Sequence, residues 1–138
     1  MGVPINYWAV IVATIVHFVI GWLWYGPLFG KKWQHLSGHS MGSGSKDKMM
    51  KSMIIMLVGS FLMAYVLAHA LVFGIAYTKM GGWTGGVQGA FYYWLGFVAP
   101  VTIGVVLWDG KPWKLWFINA GYYLVSLCVM GAILASWM

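Results

Sequence analysis

Four long apolar runs, at about residues 4–26, 52–78, 84–108 and 112–137, make up most of the chain, and short polar segments separate them. Each run exceeds the roughly 20 residues that a ~30 Å hydrocarbon core requires. The first contains one ionisable group, His17, and the second contains one, His69. The third and fourth contain none until Asp109 and Lys114 at their shared edge. This pattern predicts an all-α fold: one domain over residues 1–138, with four transmembrane helices in an antiparallel bundle.

The edges of the runs carry their own signal. The first ends in Gly21-Trp22-Leu23-Trp24-Tyr25-Gly26-Pro27, followed by Leu28-Phe29-Gly30-Lys31-Lys32-Trp33. Aromatic rings at headgroup level and then cations in water are what a helix leaving a bilayer looks like, and Gly26-Pro27 is expected to stop that helix. A looser copy closes the third run, where Trp108-Asp109-Gly110-Lys111 turns into Pro112, a residue suited to the first position of a helix. The two edges read either as a duplicated helical hairpin or as independent inner edges that each attract Trp, Gly, Pro and Lys. Within the polar loop 27–51, residues 33–36 are expected to continue as a short interfacial helix, and 40–45 form a flexible Gly/Ser stretch.

Composition sharpens this picture. Apolar residues make up 62% and charged residues 7%, against about a quarter charged in soluble domains, and the mean hydropathy is +0.80. The net charge of +6 comes from lysine alone. Five lysines lie in the first loop and two in the third, against Lys79 alone in the second. That asymmetry is a topology signal rather than a phosphate-tracking face, so nucleic acid is not an expected partner. It places the lysine loops in the cytoplasm and both termini outside. Trp24, Tyr25, Trp33, Trp108, Trp113 and Trp116 then serve as inner interface anchors. The first run lacks the charged n-region and small-residue cleavage site of a signal peptide and is expected to remain as a span. The lone Cys128 cannot form an internal disulfide.

In lipid, helices associate through close backbone approach and polar contacts. Ser60, Ala64 and Ala68 recur every four residues on one face. Gly96 and Gly104, Gly85 and Gly89, and Gly131 with Ala135 offer similar faces. Pro100 should kink the third helix and free a carbonyl that Thr102 could satisfy. These faces are expected to pack helices, within the chain or in a homo-oligomer.

For chemistry, an ionisable residue at membrane depth is a functional hypothesis by default. One reading groups His17 and His69, with Tyr65 and Tyr123, around a haem or an apolar ligand. However, their depths differ by roughly 6–10 Å, whereas two ligands to one iron need nearly equal depth. The other reading leaves each imidazole neutral and bonded to a neighbouring hydroxyl: His17 near Tyr65, Tyr122 or Tyr123, and His69 near Tyr92 or Tyr93. Met49, Met50, Met53 and Met56, with His35, His39 and Met41, suggest Cu(I). Methionine is also an ordinary gap-filler, and no cysteine or carboxylate joins the set. No nucleophile–base pair, no phosphate-cradling loop and no buried carboxylate of a proton-coupled transporter appears. Asp109 reads as a turn residue and Asn119 as interhelical glue. No catalytic residue, metal or cofactor is assigned.

Several stretches resemble a bacterial integral-membrane family catalogued as domain of unknown function 1761. They are Asn6-Tyr7-Trp8-Ala9, Trp24-Tyr25-Gly26-Pro27-Leu28-Phe29-Gly30-Lys31-Lys32-Trp33, Trp108 to Leu115, and Asn119-Ala120-Gly121-Tyr122. The resemblance implies a four-span protein of the bacterial inner membrane and carries no activity with it. The expected role is a non-enzymatic scaffold, an accessory subunit of a membrane complex or a self-associating homo-oligomer. The alternative is a binder of an apolar small molecule, haem or soft metal.

Overall fold

The computed structural model describes residues 4–37 and 46–137; the Gly/Ser stretch, with His39 and Met41, lies outside them. The described residues form helices and contain no strand. In chain order these are α1 (Tyr7–Leu23), a π-helical turn (Trp24–Leu28), α2 (Gly30–Ser37), α3 (Lys46–Thr78), α4 (Gly82–Phe97), α5 (Ala99–Thr102), α6 (Gly104–Leu107) and α7 (Trp113–Ser136). Four stretches are long and apolar enough to cross a membrane: Tyr7–Leu28, Asp47–Thr78, Gly82–Leu107 and Trp113–Ser136.

Local chemistry sets the ends of these helices. Asn6 caps α1: its Oδ1 accepts from the backbone N–H of Trp8 (3.1 Å) and Ala9 (3.4 Å). Its Nδ2 donates to the carbonyl of Trp137 (2.9 Å), so the start of α1 meets the end of α7. Lys79 (φ 61°) takes the left-handed conformation that ends α3, with its N–H on the Ile75 carbonyl at 2.8 Å. At the opposite end Gly110 (φ 70°) closes the third stretch, and Lys111 N–H reaches back to Val105 O at 3.1 Å. That six-residue closure satisfies a carbonyl the helix would otherwise leave open.

Two of the four stretches are broken. Gly26-Pro27 does not stop the first helix as expected. Proline lacks the N–H that an α turn would use here. The chain widens instead, with Phe29 N–H bonding to Trp24 O at 2.9 Å, and then continues into α2. The third stretch breaks at Val98 and again at Ile103, on either side of Pro100, and the Thr102 hydroxyl donates to the Val98 carbonyl at 2.6 Å. The two Trp-rich edges that read as a repeat therefore differ in conformation: one is a π turn, the other a helix end with a left-handed glycine. In contrast, α3 is unbroken and begins six residues earlier than the pattern placed it. Its 33 residues make it about 50 Å long.

The central element is α7, which packs against α4 most extensively and also against α1 and α3. Its contact with α4 is made by backbone. A β-carbon on Gly86 would overlap the Gly131 carbonyl, and one on Gly131 would lie 2.9 Å from the Ala90 β-carbon. On the other side, Ala64 and Ala68 of α3 are buried in one cluster with Ala9, Val10 and Ala13 of α1, and Ser60 on the same face is buried as well. Because this stripe is occupied inside the chain, it gives no argument for a second copy. Gly96 and Pro100 do not pack helices: both are exposed, and Gly96 has open space where a β-carbon would sit. Gly104 faces only Trp108 of its own turn. The small residues that do set helix spacing are Gly86 and Gly131.

Replacing Gly131 by Ala should therefore destabilise the protein by about 3 kcal/mol, the upper end of the usual cost of overpacking. Gly96→Ala, into open space, should leave stability nearly unchanged. Thermal unfolding of the two variants in detergent checks the contrast; equal melting temperatures would show that the glycine crossing does not set the spacing.

Candidate functional site

Polar side chains inside this apolar bundle gather where the two broken stretches meet α7. Four hydrogen bonds tie the first stretch to α7. The Trp24 indole donates to the Ile118 carbonyl (2.9 Å), and the next residue, Tyr25, donates its hydroxyl to Asn119 Oδ1 (2.7 Å). Higher up, the Tyr122 hydroxyl donates to the His17 carbonyl (3.1 Å), and His17 Nδ1 pairs with the Ser126 hydroxyl. The His17 and Tyr122 rings stack with centroids 5.2 Å apart. Gly21 makes room for this arrangement, since a β-carbon there would lie 2.8 Å from the Tyr122 hydroxyl. The third stretch contributes Trp94, whose indole donates to the Ala120 carbonyl (2.8 Å), and Thr102, which accepts from the Trp116 indole (3.1 Å).

His17, Tyr122 and Ser126 are all buried. The Ser126 hydroxyl and the Tyr122 ring enclose the imidazole, whose Nε2 lies 3.1 Å from the Tyr122 hydroxyl. The cluster works as a lock between α1 and α7.

His69 is elsewhere. Its Nδ1 bonds the Tyr65 carbonyl one turn back on the same helix (2.8 Å), and its ring sits 4.4 Å from that of Tyr65. Tyr65 lies beside Tyr7, with centroids 6.5 Å apart, whereas His17 is ten residues further along α1, about 15 Å away. The four residues grouped from sequence thus separate into two pairs, His17 with Tyr123 (6.4 Å between rings) and His69 with Tyr65. No single ligand sits among all four. Among the described residues no three His, Cys, Asp or Glu side chains gather as a metal site. Met49, Met53 and Met56 line an apolar pocket of about 290 Å³ beside Tyr122.

The expected interface anchors also divide. Trp24 and Tyr25 turn inward onto α7 as described, and Trp33 packs edge-on against Tyr25 (5.8 Å). Trp116 is half-buried against Thr102. Trp108 (86% exposed) and Trp113 face outward.

Two further cavities lie between α3 and the broken third stretch. The upper one, about 580 Å³, is largely apolar and runs between Leu62 and Val66 of α3 and Tyr93, Phe97 and Val98, with Leu127 of α7 behind. The lower one, about 550 Å³, lies between Met56 of α3 and Thr102 and Val105, with Asn119 and Tyr123 behind. Their linings succeed one another along the same three walls, which together bound a cleft. The cleft exists because α3 touches α4 far less than α4 touches α7. Leu62, Val66 and Phe97 on its rim are exposed, and the cleft opens sideways. Both volumes are in the range of small-molecule sites. Sequence reading had Asn119 only as glue and passed over Ser126 and Trp94; the spacing of Asn119 and Tyr123, one turn apart on α7, was the available signal.

The chain belongs to the family described as protein of unknown function (DUF1761), whose profile matches residues 8–135. No curated protein and no solved structure matches it.

Ser126→Ala removes the partner of a buried imidazole nitrogen and should cost about 1–3 kcal/mol. Unfolding in detergent reads this directly; an unchanged midpoint would mean that the lock contributes nothing to the fold.

Proposed function

Starting from membership of that family, we propose that this chain is a four-span protein of the bacterial plasma membrane. It binds an apolar small molecule in the cleft between α3 and α4–α6 and does no chemistry on it. The observation that carries this reading is the cleft itself: a largely apolar upper cavity and, further along the same walls, a lower one that also carries Asn119 and Tyr123, open sideways where a bilayer-dissolved molecule would enter. Support also comes from the broken helices on its walls. Irregular backbone at membrane depth is tolerated where it lines a cavity, and π turns recur at functional sites.

In this reading Lys31, Lys32, Lys48, Lys51, Lys111 and Lys114 mark the cytoplasmic end and Lys79 the outer end, by the excess of cytoplasmic lysine. Both termini then lie outside. Single cysteines placed at Met80 and at Lys114, in a Cys128→Ala background, test this. An impermeant thiol reagent added to sealed cells should label the Met80→Cys variant and spare Lys114→Cys; the reverse pattern would invert the topology.

The binding reading is tested with tritiated decylbenzene, by scintillation proximity to the protein in nanodiscs against empty nanodiscs. Wild type should retain the probe. Ala70→Phe, which grows into the upper cavity, should weaken retention by tenfold or more at an unchanged melting temperature. Retention no greater than that of empty nanodiscs would dispose of the proposal.

A further inference from the structure

We infer that the lower end of this cleft is a site for a neutral carbonyl group borne on an apolar compound, with Asn119 and Tyr123 as its hydrogen-bond donors. The inference rests on the cleft being a binding site and adds what it selects.

Asn119 and Tyr123 stand four residues apart on α7, and both line the 550 Å³ lower cavity. Asn119 Oδ1 already accepts the Tyr25 hydroxyl at 2.7 Å. What remains of the side chain is an amide nitrogen with two N–H groups, neither of which bonds another described residue. The Tyr123 hydroxyl likewise makes no hydrogen bond to a described residue. The other polar groups in this cavity are engaged. Thr102 donates to Val98 O (2.6 Å) and accepts from Trp116 (3.1 Å). Tyr25 donates to Asn119, and Tyr122 donates to His17 O (3.1 Å). Two donor groups of the lining, Asn119 Nδ2 and the Tyr123 hydroxyl, thus have no partner among the described residues. In an apolar setting an unmet donor is costly, and it is met best by a group that only accepts.

Charge then narrows the class. No Lys, Arg, His, Asp or Glu lines the cavity. A phosphate or carboxylate head would enter a low-dielectric site with no counter-charge and leave its hydration behind. A carbonyl has two lone pairs, no donor and no charge, which suits two donor side chains one turn apart. The largely apolar 580 Å³ cavity further along the same helices suits a hydrocarbon tail. Two sources share this chemistry, a quinone ring with an alkyl or isoprenoid chain and an acyl ester.

Four probes with the same tail test the assignment in the same nanodisc assay: decylbenzoquinone, decyl acetate, decylbenzene and decyl phosphate. The first two should bind about tenfold more tightly than decylbenzene, the gain expected from one or two added hydrogen bonds. Decyl phosphate should bind least. Tyr123→Phe loses no hydrogen bond within the protein and should fold as wild type. It should bring the two carbonyl probes down toward decylbenzene while leaving decylbenzene itself unchanged. Asn119→Leu should do the same, with some loss of stability from the missing Tyr25 contact. Tighter binding of the quinone than of the acetate, or the reverse, names the source. Equal binding of carbonyl and hydrocarbon probes, insensitive to Tyr123→Phe, would show that water meets these donors and would overturn the inference while leaving the cleft intact. Preferred binding of decyl phosphate would also overturn it. If no probe binds, the cleft reading itself fails.

Discussion

When association removes no water, helices are held only by close packing and polar contact, and in this chain both converge on α7. On one face its backbone meets that of α4 at Gly131 and Gly86. On another, His17, Trp24 and Tyr25 bond to Ser126, Ile118 and Asn119 in register along three turns. Two of these bonds, and the one from Trp94, use carbonyl or amide oxygens of α7 that still have a free lone pair. The helix is thus clamped from both sides without any buried charge. The tight glycine crossing keeps α4 close, and the polar contacts fix the rotation of α1.

The price of that arrangement falls on α3. It is held against α1 by Ala64 and Ala68 and also meets α7, yet barely reaches α4. Methionines and isoleucines at its start stay exposed. The cleft follows from the same asymmetry: α3 packs on α1 about as extensively as α1 packs on α7, but its slight contact with α4 leaves a gap on that side. The cleft and the sparse contact of α3 with α4 are the same feature seen from two sides.

Much of the architecture was legible in the sequence because hydropathy over about twenty residues is a strong signal, and the four stretches appear where the apolar runs lie. Their interiors were harder to read. Gly26-Pro27 reads as a stop in sequence, since only the downstream pairing of Phe29 with Trp24 shows that a wider turn can carry the helix past proline. Glycines look alike in a string: Gly96 beside Pro100 seemed a packing point, but the contact depends on which glycine faces another backbone, and that is set by helix phase. Aromatic residues at helix ends invited an interfacial reading, which an outward ring such as Trp108 suits. It missed Trp24 and Tyr25 because an indole or phenol can equally serve an inward carbonyl or amide. The pairing of His17 with Ser126 spans 109 residues, and nothing local announces it. The motifs in Trp24–Pro27 and Trp108–Leu115 did point to the family.

The length of α3 bears on membrane thickness. Its apolar portion, residues 52–77, runs for roughly 40 Å at 1.5 Å per residue, against a hydrocarbon core of about 30 Å. A stretch longer than the core is accommodated by tilting. The long helix is also the one with the slightest hold on α4, while α7 is fixed on both sides. A thicker bilayer would let α3 stand straighter and a thinner one would lean it over, changing the aperture of the gap beside it. In a bilayer, lipid composition would therefore act on this fold mechanically, through one mismatched helix.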